Sequence, residues 1–216
     1  MDRSQNNVLG WDQLAQKYQD RFKDLTMYND SYDLFCDLIP KNNPSIFEIG
    51  CGPGNITKYL RTKRPDSRID AIDASPNMIS LAIQNNPGVL FKVMDCRLLD
   101  SIQNKYDAVM IGFCLPYLSR DESFKLTRDV GNLINENGIL YISAIEGPYT
   151  QSRIESSSDG MTSLFVYYYQ EKELIEMLDT NNFKIILINK LPYQKNDGTF
   201  EIHVIIIAQY RSTIKN

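Results

Sequence analysis

The most constraining feature of this sequence is a glycine-rich junction in residues 46–57, which read IFEIGCGPGNIT. An apolar run that contains Glu48 passes directly into Gly50, Gly52 and Gly54, after which a helical pattern begins. Because glycine has no side chain, these positions can adopt positive φ and let a ligand lie against the backbone. The junction therefore predicts a strand, a tight turn and a helix start, whose free amides and positive dipole end can hold a carboxylate or a phosphate.

Two common nucleotide-binding motifs fit this junction less well. A dinucleotide-binding loop has the pattern G-x-G-x-x-G, whereas here Asn55 lies where the third glycine is expected. This weakens the interpretation as an NAD site without excluding it. A triphosphate-binding loop ends in Gly-Lys-Ser/Thr, which is missing from this segment, so ATP and GTP are not expected.

A second acidic residue indicates which ligand the junction holds. Residues 68–73, RIDAID, have the pattern of a strand that ends in Asp73, roughly 20 positions after the glycine turn. A carboxylate here can accept two hydrogen bonds from a ribose diol, each worth about 1.5–3 kcal/mol because the acceptor is charged. Taken alone, Asp73 is better explained as the N-cap of a helix that begins near Pro76. Two further apolar runs, 89–94 and 106–111, would end in the same crevice, which favours an adenosine-containing ligand.

With these motifs in this order, the chain resembles the class I S-adenosylmethionine-dependent methyltransferases, in particular the single-domain enzymes that act on small molecules. The glycine junction is similar to the family motif D/E-x-G-x-G-x-G, and IDASPNMI is similar to the family's second strand end. The resemblance implies S-adenosyl-L-methionine as cofactor and S-adenosyl-L-homocysteine as product. It places at the cofactor Tyr18, Glu48, Gly50, Cys51, Gly52, Gly54, Asp73, Ala74, Met78, Asp95, Cys96 and Phe113.

The resemblance also implies separate roles within this set. Asp73 would hold the ribose, Met78 would pack near adenine, and Asp95 with Cys96 would meet the adenine amine and ring. The run YDAVMIGFCLPYL is similar to the family's fourth strand, but Tyr117 stands where many relatives have a histidine. The N/D-P-P-Y/F motif of enzymes that methylate nucleic-acid or glutamine amines is replaced by Leu-Pro-Tyr, which argues against that subgroup.

The predicted fold class is α/β: a Rossmann-like methyltransferase fold with a seven-stranded, mostly parallel sheet, an antiparallel last strand and helices on both faces. We expect one domain over residues 1–216, of which 1–44 form a helical cover, with one helix over 11–39. Packing in the core explains the aromatic residues of this segment as well as a covering role does. Later helices are predicted over 121–135 and 171–181, and later strands over 139–145, 183–191 and 201–210.

The acceptor side of the site is less well defined by the sequence. Residues 146–170 form an insertion that we expect to act as a substrate lid, in which Tyr149, Arg153, Tyr167 and Tyr168 are the candidate acceptor-binding residues. Core packing is the alternative for these aromatic residues. Tyr117 and Glu146 are the candidate proton acceptors, with water as the alternative. The single histidine, His203, is predicted to be structural.

Composition limits the partners and the location of the protein. The 216 residues carry a formal net charge of −4, so the chain lacks the basic field that collects nucleic acid, and a small-molecule acceptor is expected. The four cysteines include no C-x-x-C pair, which argues against a metal site and favours a reducing compartment. No run approaches 18 apolar residues, so neither a membrane span nor a membrane partner is expected, and the predicted location is the cytoplasm.

The sequence therefore predicts methyl transfer from S-adenosylmethionine to a small molecule by in-line displacement. Two alternatives remain open at this stage: a non-catalytic S-adenosylmethionine-binding protein and, less favoured, an NAD-dependent oxidoreductase. The identity of the acceptor and the oligomeric state do not follow from the sequence.

Overall fold

A seven-stranded sheet forms the centre of the protein, described here from a computed structural model that covers residues 3–157, 160–195 and 197–212. The strand order is β3-β2-β1-β4-β5-β9-β8. The strands are β1 (Ser45–Ile49), β2 (Arg68–Asp73), β3 (Leu90–Val93), β4 (Tyr106–Ile111), β5 (Ile134–Ile145), β8 (Phe183–Gln194) and β9 (Phe200–Tyr210).

The direction of the strands agrees with the predicted fold. Strands β1 to β5 pair in parallel, whereas β9 runs antiparallel to both of its neighbours, β5 and β8. The last two strands form a hairpin in which Asp197 accepts a hydrogen bond from Thr199 and Gly198 has φ +82°. The predicted Rossmann-like methyltransferase fold, with its antiparallel last strand, is confirmed.

Helices cover both faces of the sheet because the central strands are apolar on both sides. They are α1 (Arg3–Phe22), α2 (Asn29–Leu38), α3 (Asn55–Lys63), α4 (Pro76–Asn85), α5 (Arg120–Leu133) and α6 (Glu171–Thr180). Buried side chains of α5 and α6 share one apolar cluster with β4 and β5, and those of α2 and α3 share the cluster on the opposite face. In the described part of the chain, no helix combines the length and the apolarity that a membrane span requires.

The single helix expected over 11–39 is wrong, since the structure has two helices separated by residues 23–28. The two helices bury against different partners. Tyr32 and Phe35 of α2 pack on the sheet, whereas Trp11 and Tyr18 of α1 lie over the carboxyl ends of the strands. One straight helix cannot reach both places, so the chain turns between them.

The insertion 146–170 contains a two-stranded sheet that was not expected. Strands β6 (Arg153–Ser156) and β7 (Ser163–Val166) pair antiparallel, and Ser158 and Asp159 of the intervening segment lie outside the described residues. Strand β5 is also longer than expected, because Ile134 already pairs with Tyr106 before the turn at Asn137, which has φ +62°. Helix α5 consequently ends at Leu133 rather than near 135.

Candidate active site

The glycine junction forms a tight turn at the end of β1. Gly50, Gly52 and Gly54 have φ of +70°, +53° and +82°, so all three use the left-handed region that glycine favours. The amides of Gly50 and Cys51 both donate to the carbonyl of Ile72 on the neighbouring strand, at 2.8 and 3.0 Å. A Cβ at Gly52 would lie 3.7 Å from the nearest atom, a ring carbon of Tyr18, so this backbone borders open space rather than packed protein.

Asp73, at the end of β2, is held in a fixed orientation beside this turn. Its Oδ2 accepts a hydrogen bond of 2.9 Å from the Gly52 amide, and its Oδ1 accepts one of 2.9 Å from the Ser75 amide. Burial raises the pKa of Asp73, and these two bonds lower it only in part, so the net direction is upward. Each oxygen keeps a further lone pair, and the side chain lines the crevice described below.

Asp95 supplies a second fixed carboxylate one strand further along. Burial raises the pKa of Asp95, but hydrogen bonds from the Arg97 side chain and backbone outweigh it and leave the pKa below its ordinary value. Arg97 contacts both carboxylate oxygens, and its Nη1 also donates to Glu122 on α5 at 3.0 Å. This network ties the segment after β3 to the start of α5.

A crevice of about 870 Å³, part of which is open to solvent, runs between these strand ends and helix α1. Ten of the sequence-predicted residues line it: Tyr18, Gly50, Gly52, Asp73, Ala74, Met78, Asp95, Cys96, Phe113 and Tyr117. The structure thus brings together residues from four strand ends and from helix α1.

Helix α1 is fastened over the crevice by side chains that the sequence did not single out. Asn7 pairs with the backbone of β7: its Oδ1 accepts from the Phe165 amide at 2.7 Å, and its Nδ2 donates to the Phe165 carbonyl at 2.9 Å. Asp12 accepts hydrogen bonds from the Ser75 hydroxyl and the Asn77 amide at the start of α4, at 2.6 and 2.9 Å. Such contacts join segments 63 or more residues apart, which a local sequence pattern does not reveal.

Three aromatic side chains form one wall of the crevice. The Trp11 ring packs edge-to-face on Tyr18 and on Tyr117, with ring centroids 5.3 and 5.0 Å apart. Within the part of the chain that the structure describes, neither tyrosine hydroxyl nor the indole N–H makes a hydrogen bond. Burial raises the pKa of Tyr18 to about 12 and that of Tyr117 well above its ordinary value, so both phenols stay protonated at neutral pH. Tyr117 is therefore suited to donating a hydrogen bond rather than to accepting a proton.

Phe113, just beyond β4, has an unusual backbone. Its φ of +53° is costly for a residue with a side chain, by about 1 kcal/mol or more. The Phe113 amide donates to the Ser143 hydroxyl on β5 at 2.8 Å, and the ring packs against Tyr28 and His203. Strain of this kind concentrates at binding sites. Nothing local in the sequence identifies Ser143 as the residue that holds this turn.

Three of the predicted cofactor residues lie behind the crevice rather than on its surface. Gly54 and Cys51 close the turn, and a Cβ at Gly54 would come within 2.4 Å of the Asn86 side chain. Glu48 is buried: its Oε2 accepts a hydrogen bond of 2.5 Å from Thr57, while its Oε1 has no partner among the described residues. Burial raises the pKa of Glu48 to about 8.

Glu146 and the four acceptor-binding candidates lie outside the crevice, which corrects the expectation that they face it. Glu146, which follows β5, forms an ion pair of 2.6 Å with Lys190 of β8, across the intervening strand β9. Tyr149 stacks on Tyr167, and Arg120 lies over the Tyr149 ring. Tyr168 donates to Glu155 at 3.0 Å, and Arg153 pairs with the same carboxylate at 2.7 Å.

His203 and two of the four cysteines are buried away from the crevice. The Nδ1 atom of His203 lies 2.6 Å from the Tyr28 hydroxyl, and burial lowers the pKa of His203 to about 4. Cys36 and Cys51 are buried, whereas Cys96 and Cys114 line the crevice with sulfur atoms 3.8 Å apart. Among the described residues, no group of three or more side chains is arranged to hold a metal ion.

Comparison with known proteins agrees with this geometry. Residues 46–138 match the family described as "Methyltransferase domain". A protein of Invertebrate iridescent virus 6, whose name describes it provisionally as a methyltransferase, is 35% identical over 118 residues, or 54% of this chain and 43% of that protein. This chain therefore spans less than half the length of the viral relative.

Two other comparisons cover more of the chain at lower identity. The tRNA N(3)-methylcytidine methyltransferase of Schizosaccharomyces pombe is 22% identical over 204 residues, or 84% of this chain and 81% of that protein. The 1,6-didemethyltoxoflavin-N1-methyltransferase of Burkholderia thailandensis, solved with its acceptor and S-adenosylhomocysteine, has a TM-score of 0.71 at 18% identity, covering 95% of this chain and 88% of that one. At this identity the likeness concerns the fold.

Proposed function

We propose that the chain is a class I S-adenosylmethionine-dependent methyltransferase and that it transfers a methyl group from S-adenosyl-L-methionine to a small-molecule acceptor; the match of residues 46–138 to the methyltransferase domain supports this. The observation that carries this proposal is the fixed carboxylate of Asp73 beside the glycine turn, in the lining of the crevice. Asp73 thus presents free lone pairs at the position where a ribose diol is gripped in folds of this class.

The residues around the crevice fit S-adenosylmethionine in shape and in charge. Gly52 offers bare backbone beside the Tyr18 ring, and Gly50, with φ +70°, disfavours a side chain, whose Cβ would lie 3.1 Å from the Cβ of Cys114. Asp73 and Asp95 give the lining an acidic character that suits a cationic ligand. The faces of Tyr18 and Trp11 add an attraction for a cation of about 0.5–2 kcal/mol.

The chemistry needs little acid or base assistance from the protein. Bound S-adenosylmethionine supplies a methyl group that is already activated by its sulfonium. The task of this chain is then to fix the two reactants in line and to exclude water, which can contribute several kcal/mol. Helix α1 would exclude water from above, and Tyr117, as a protonated phenol, would donate a hydrogen bond to the acceptor. A proton released by the acceptor would pass to water.

A small molecule is the acceptor that the charge and the cover favour. The net charge of −4 provides no general basic field for a nucleic acid, and α1 lies over the strand ends at which a macromolecular target would have to insert. The tRNA-modifying relative of S. pombe makes a nucleic acid the alternative to be tested. Glu146 would contribute to turnover only through its ion pair with Lys190, and mutation of Glu146 tests this.

Titration calorimetry with S-adenosylhomocysteine tests the cofactor assignment. We expect binding by the native protein and a loss of about 1–3 kcal/mol in Asp73→Ala, since charge-assisted hydrogen bonds are worth that much. Asp70→Ala is the matched control, because Asp70 is a buried acid on the same strand that contacts Tyr106 away from the crevice. Binding of NADH instead of S-adenosylhomocysteine, or equal affinity in Asp73→Ala, would contradict the proposal. Methylation of a tRNA pool in preference to small molecules would contradict the acceptor class.

A further inference from the structure

The wall of the crevice that Trp11, Tyr18 and Tyr117 form is not explained by cofactor binding alone. Trp11 stands edge-on to both tyrosine rings, so the three side chains support one another across a gap between α1 and the turn after β4. All three line the crevice, as does Phe113 on the neighbouring segment. The hydroxyl groups of Tyr18 and Tyr117 and the indole N–H of Trp11 can form hydrogen bonds with a ligand, and the ring faces can stack on it.

The charges at the crevice restrict what can lie against this wall. Among the described residues that line it, Arg97 is the single cationic side chain, and Asp95 and Glu122 already hold its guanidinium. The other lining charges are the carboxylates of Asp73 and Asp95. A carboxylate or phosphate on the acceptor would therefore lose its water without gaining a cationic side chain in return, which is costly in a half-buried site.

Cations outside the lining are also committed to other partners. Arg3 lies 4.3 Å from the centroid of the Phe165 ring, and Arg21 donates to the Tyr193 hydroxyl at 2.7 Å. Lys195 bridges Glu155 and Glu201 at 3.2 and 3.1 Å. Each would have to break an existing contact to approach an anionic ligand.

Resting on the proposed function, we propose that the acceptor subsite takes a planar, uncharged aromatic or heteroaromatic molecule and discriminates against acceptors that carry a carboxylate or a phosphate. The aromatic wall provides the stacking surface. The discrimination against anions comes from the lack of an uncommitted cationic side chain among the described residues that line the crevice. Trp11 is the specificity-determining residue, because it lines the crevice and contacts both tyrosine rings of the wall.

The test compares two ligands that share one ring system. With the protein saturated by S-adenosylhomocysteine, calorimetry measures the affinity for 2-naphthol and for 2-naphthoate at pH 7. We expect the naphthol to bind at least tenfold more tightly. Trp11→Ala should lower that affinity at least fivefold, Trp11→Phe should restore most of it, and Phe124→Ala, on the exposed side of α5, should leave it unchanged.

The outcomes separate this inference from the function on which it rests. Equal or tighter binding of the naphthoate would overturn the inference, and so would the absence of binding by either ligand at millimolar concentration in a protein that binds S-adenosylhomocysteine. Unchanged naphthol affinity in Trp11→Ala would remove Trp11 as the determinant. Failure to bind S-adenosylhomocysteine at all would instead remove the proposed function, and this inference with it.

Discussion

Asp12 of the covering helix accepts a hydrogen bond of 2.6 Å from Ser75 at the start of α4, two residues after Asp73. The same carboxylate oxygen accepts the Asn77 amide, so Asp12 caps a helix that is distant in the sequence. The segment that holds the ribose-binding candidate and the segment that covers the crevice are thus joined by one side chain.

Removal of this contact should loosen the cover. We expect Asp12→Ala to weaken S-adenosylhomocysteine binding by about 1–2 kcal/mol, as loss of a helix cap and of its charge would predict. Amide hydrogen exchange in α1 should accelerate. Asp20→Ala, which removes an exposed carboxylate that accepts a hydrogen bond from Gln16 within α1, is the control. Similar exchange in both variants would show that Asp12 does not hold the cover.

Ser143 should be required for the shape of the site. Ser143→Ala leaves the Phe113 amide without its acceptor, which should cost about 1–3 kcal/mol of stability, and the strained turn should relax away from the crevice. Ser123→Ala, which removes a buried hydroxyl next to Tyr169, should destabilise the protein similarly. Denaturation measures stability, and calorimetry measures cofactor affinity. Of the two variants, only Ser143→Ala should also lose affinity for the cofactor. If Ser143→Ala loses stability but keeps its cofactor affinity, Ser143 contributes to packing and not to the shape of the site.

Glu48 should make the protein less stable as the pH rises. The pKa of Glu48 is about 8 in the folded protein, whereas an unfolded glutamate titrates near 4.3, so between these values the folded state binds the extra proton. The contribution of Glu48 to the free energy of unfolding is fully present below about pH 4.3 and decreases as the pH rises to about 8.

Glu48→Gln keeps the shape of the side chain and removes its titration. Between pH 5 and 8, the melting temperature of the native protein should fall relative to that of Glu48→Gln. The fall should be about 2–4 °C for each kcal/mol lost from the free energy of unfolding. Glu176→Gln, at an exposed position on α6, should follow the native curve. Parallel curves for the native protein and Glu48→Gln would show that the carboxyl is ionised in the folded state.

His203 should make the protein less stable as the pH falls, which is opposite to the effect of Glu48. Its pKa is lowered to about 4, so between about pH 4 and 6.5 the unfolded state binds the extra proton and stability is lost as the pH falls. His203→Gln should be less sensitive to acid over this range. If His203 instead accepted a proton in catalysis, the same variant would lose turnover at neutral pH far beyond its loss of stability.

The sequence predicted the parts of the site that depend on neighbouring residues. The glycine turn, Asp73 and the segment after β4 all follow directly from strands, and parallel strands bring their carboxyl ends to one edge. The acceptor side was harder to predict, because Tyr149, Tyr167 and Tyr168 pack among themselves and with charged partners instead of facing the crevice. An aromatic pattern indicates burial, but it does not say which cavity the ring borders.

The contacts that close the site could not be predicted for a different reason. Asn7 and Phe165 are 158 residues apart, and Asp12 and Ser75 are 63 apart. No local propensity marks an asparagine that will pair with a strand edge or an aspartate that will cap a remote helix. The break between α1 and α2 could not be predicted for the same reason, because it depends on the remote segments against which each helix packs.

The pairing of Asn7 with Phe165 also has a consequence for the synthesis of the protein. Helix α1 is translated before any of its partners, and those on α5 and β7 leave the ribosome more than a hundred residues later. Nascent chains fold from the amino terminus as their segments emerge. The first helix can therefore contact α4 through Asp12 before β7 has been made, but it binds β7 only once Phe165 has emerged, so an incomplete chain has the glycine turn but not the fully covered crevice.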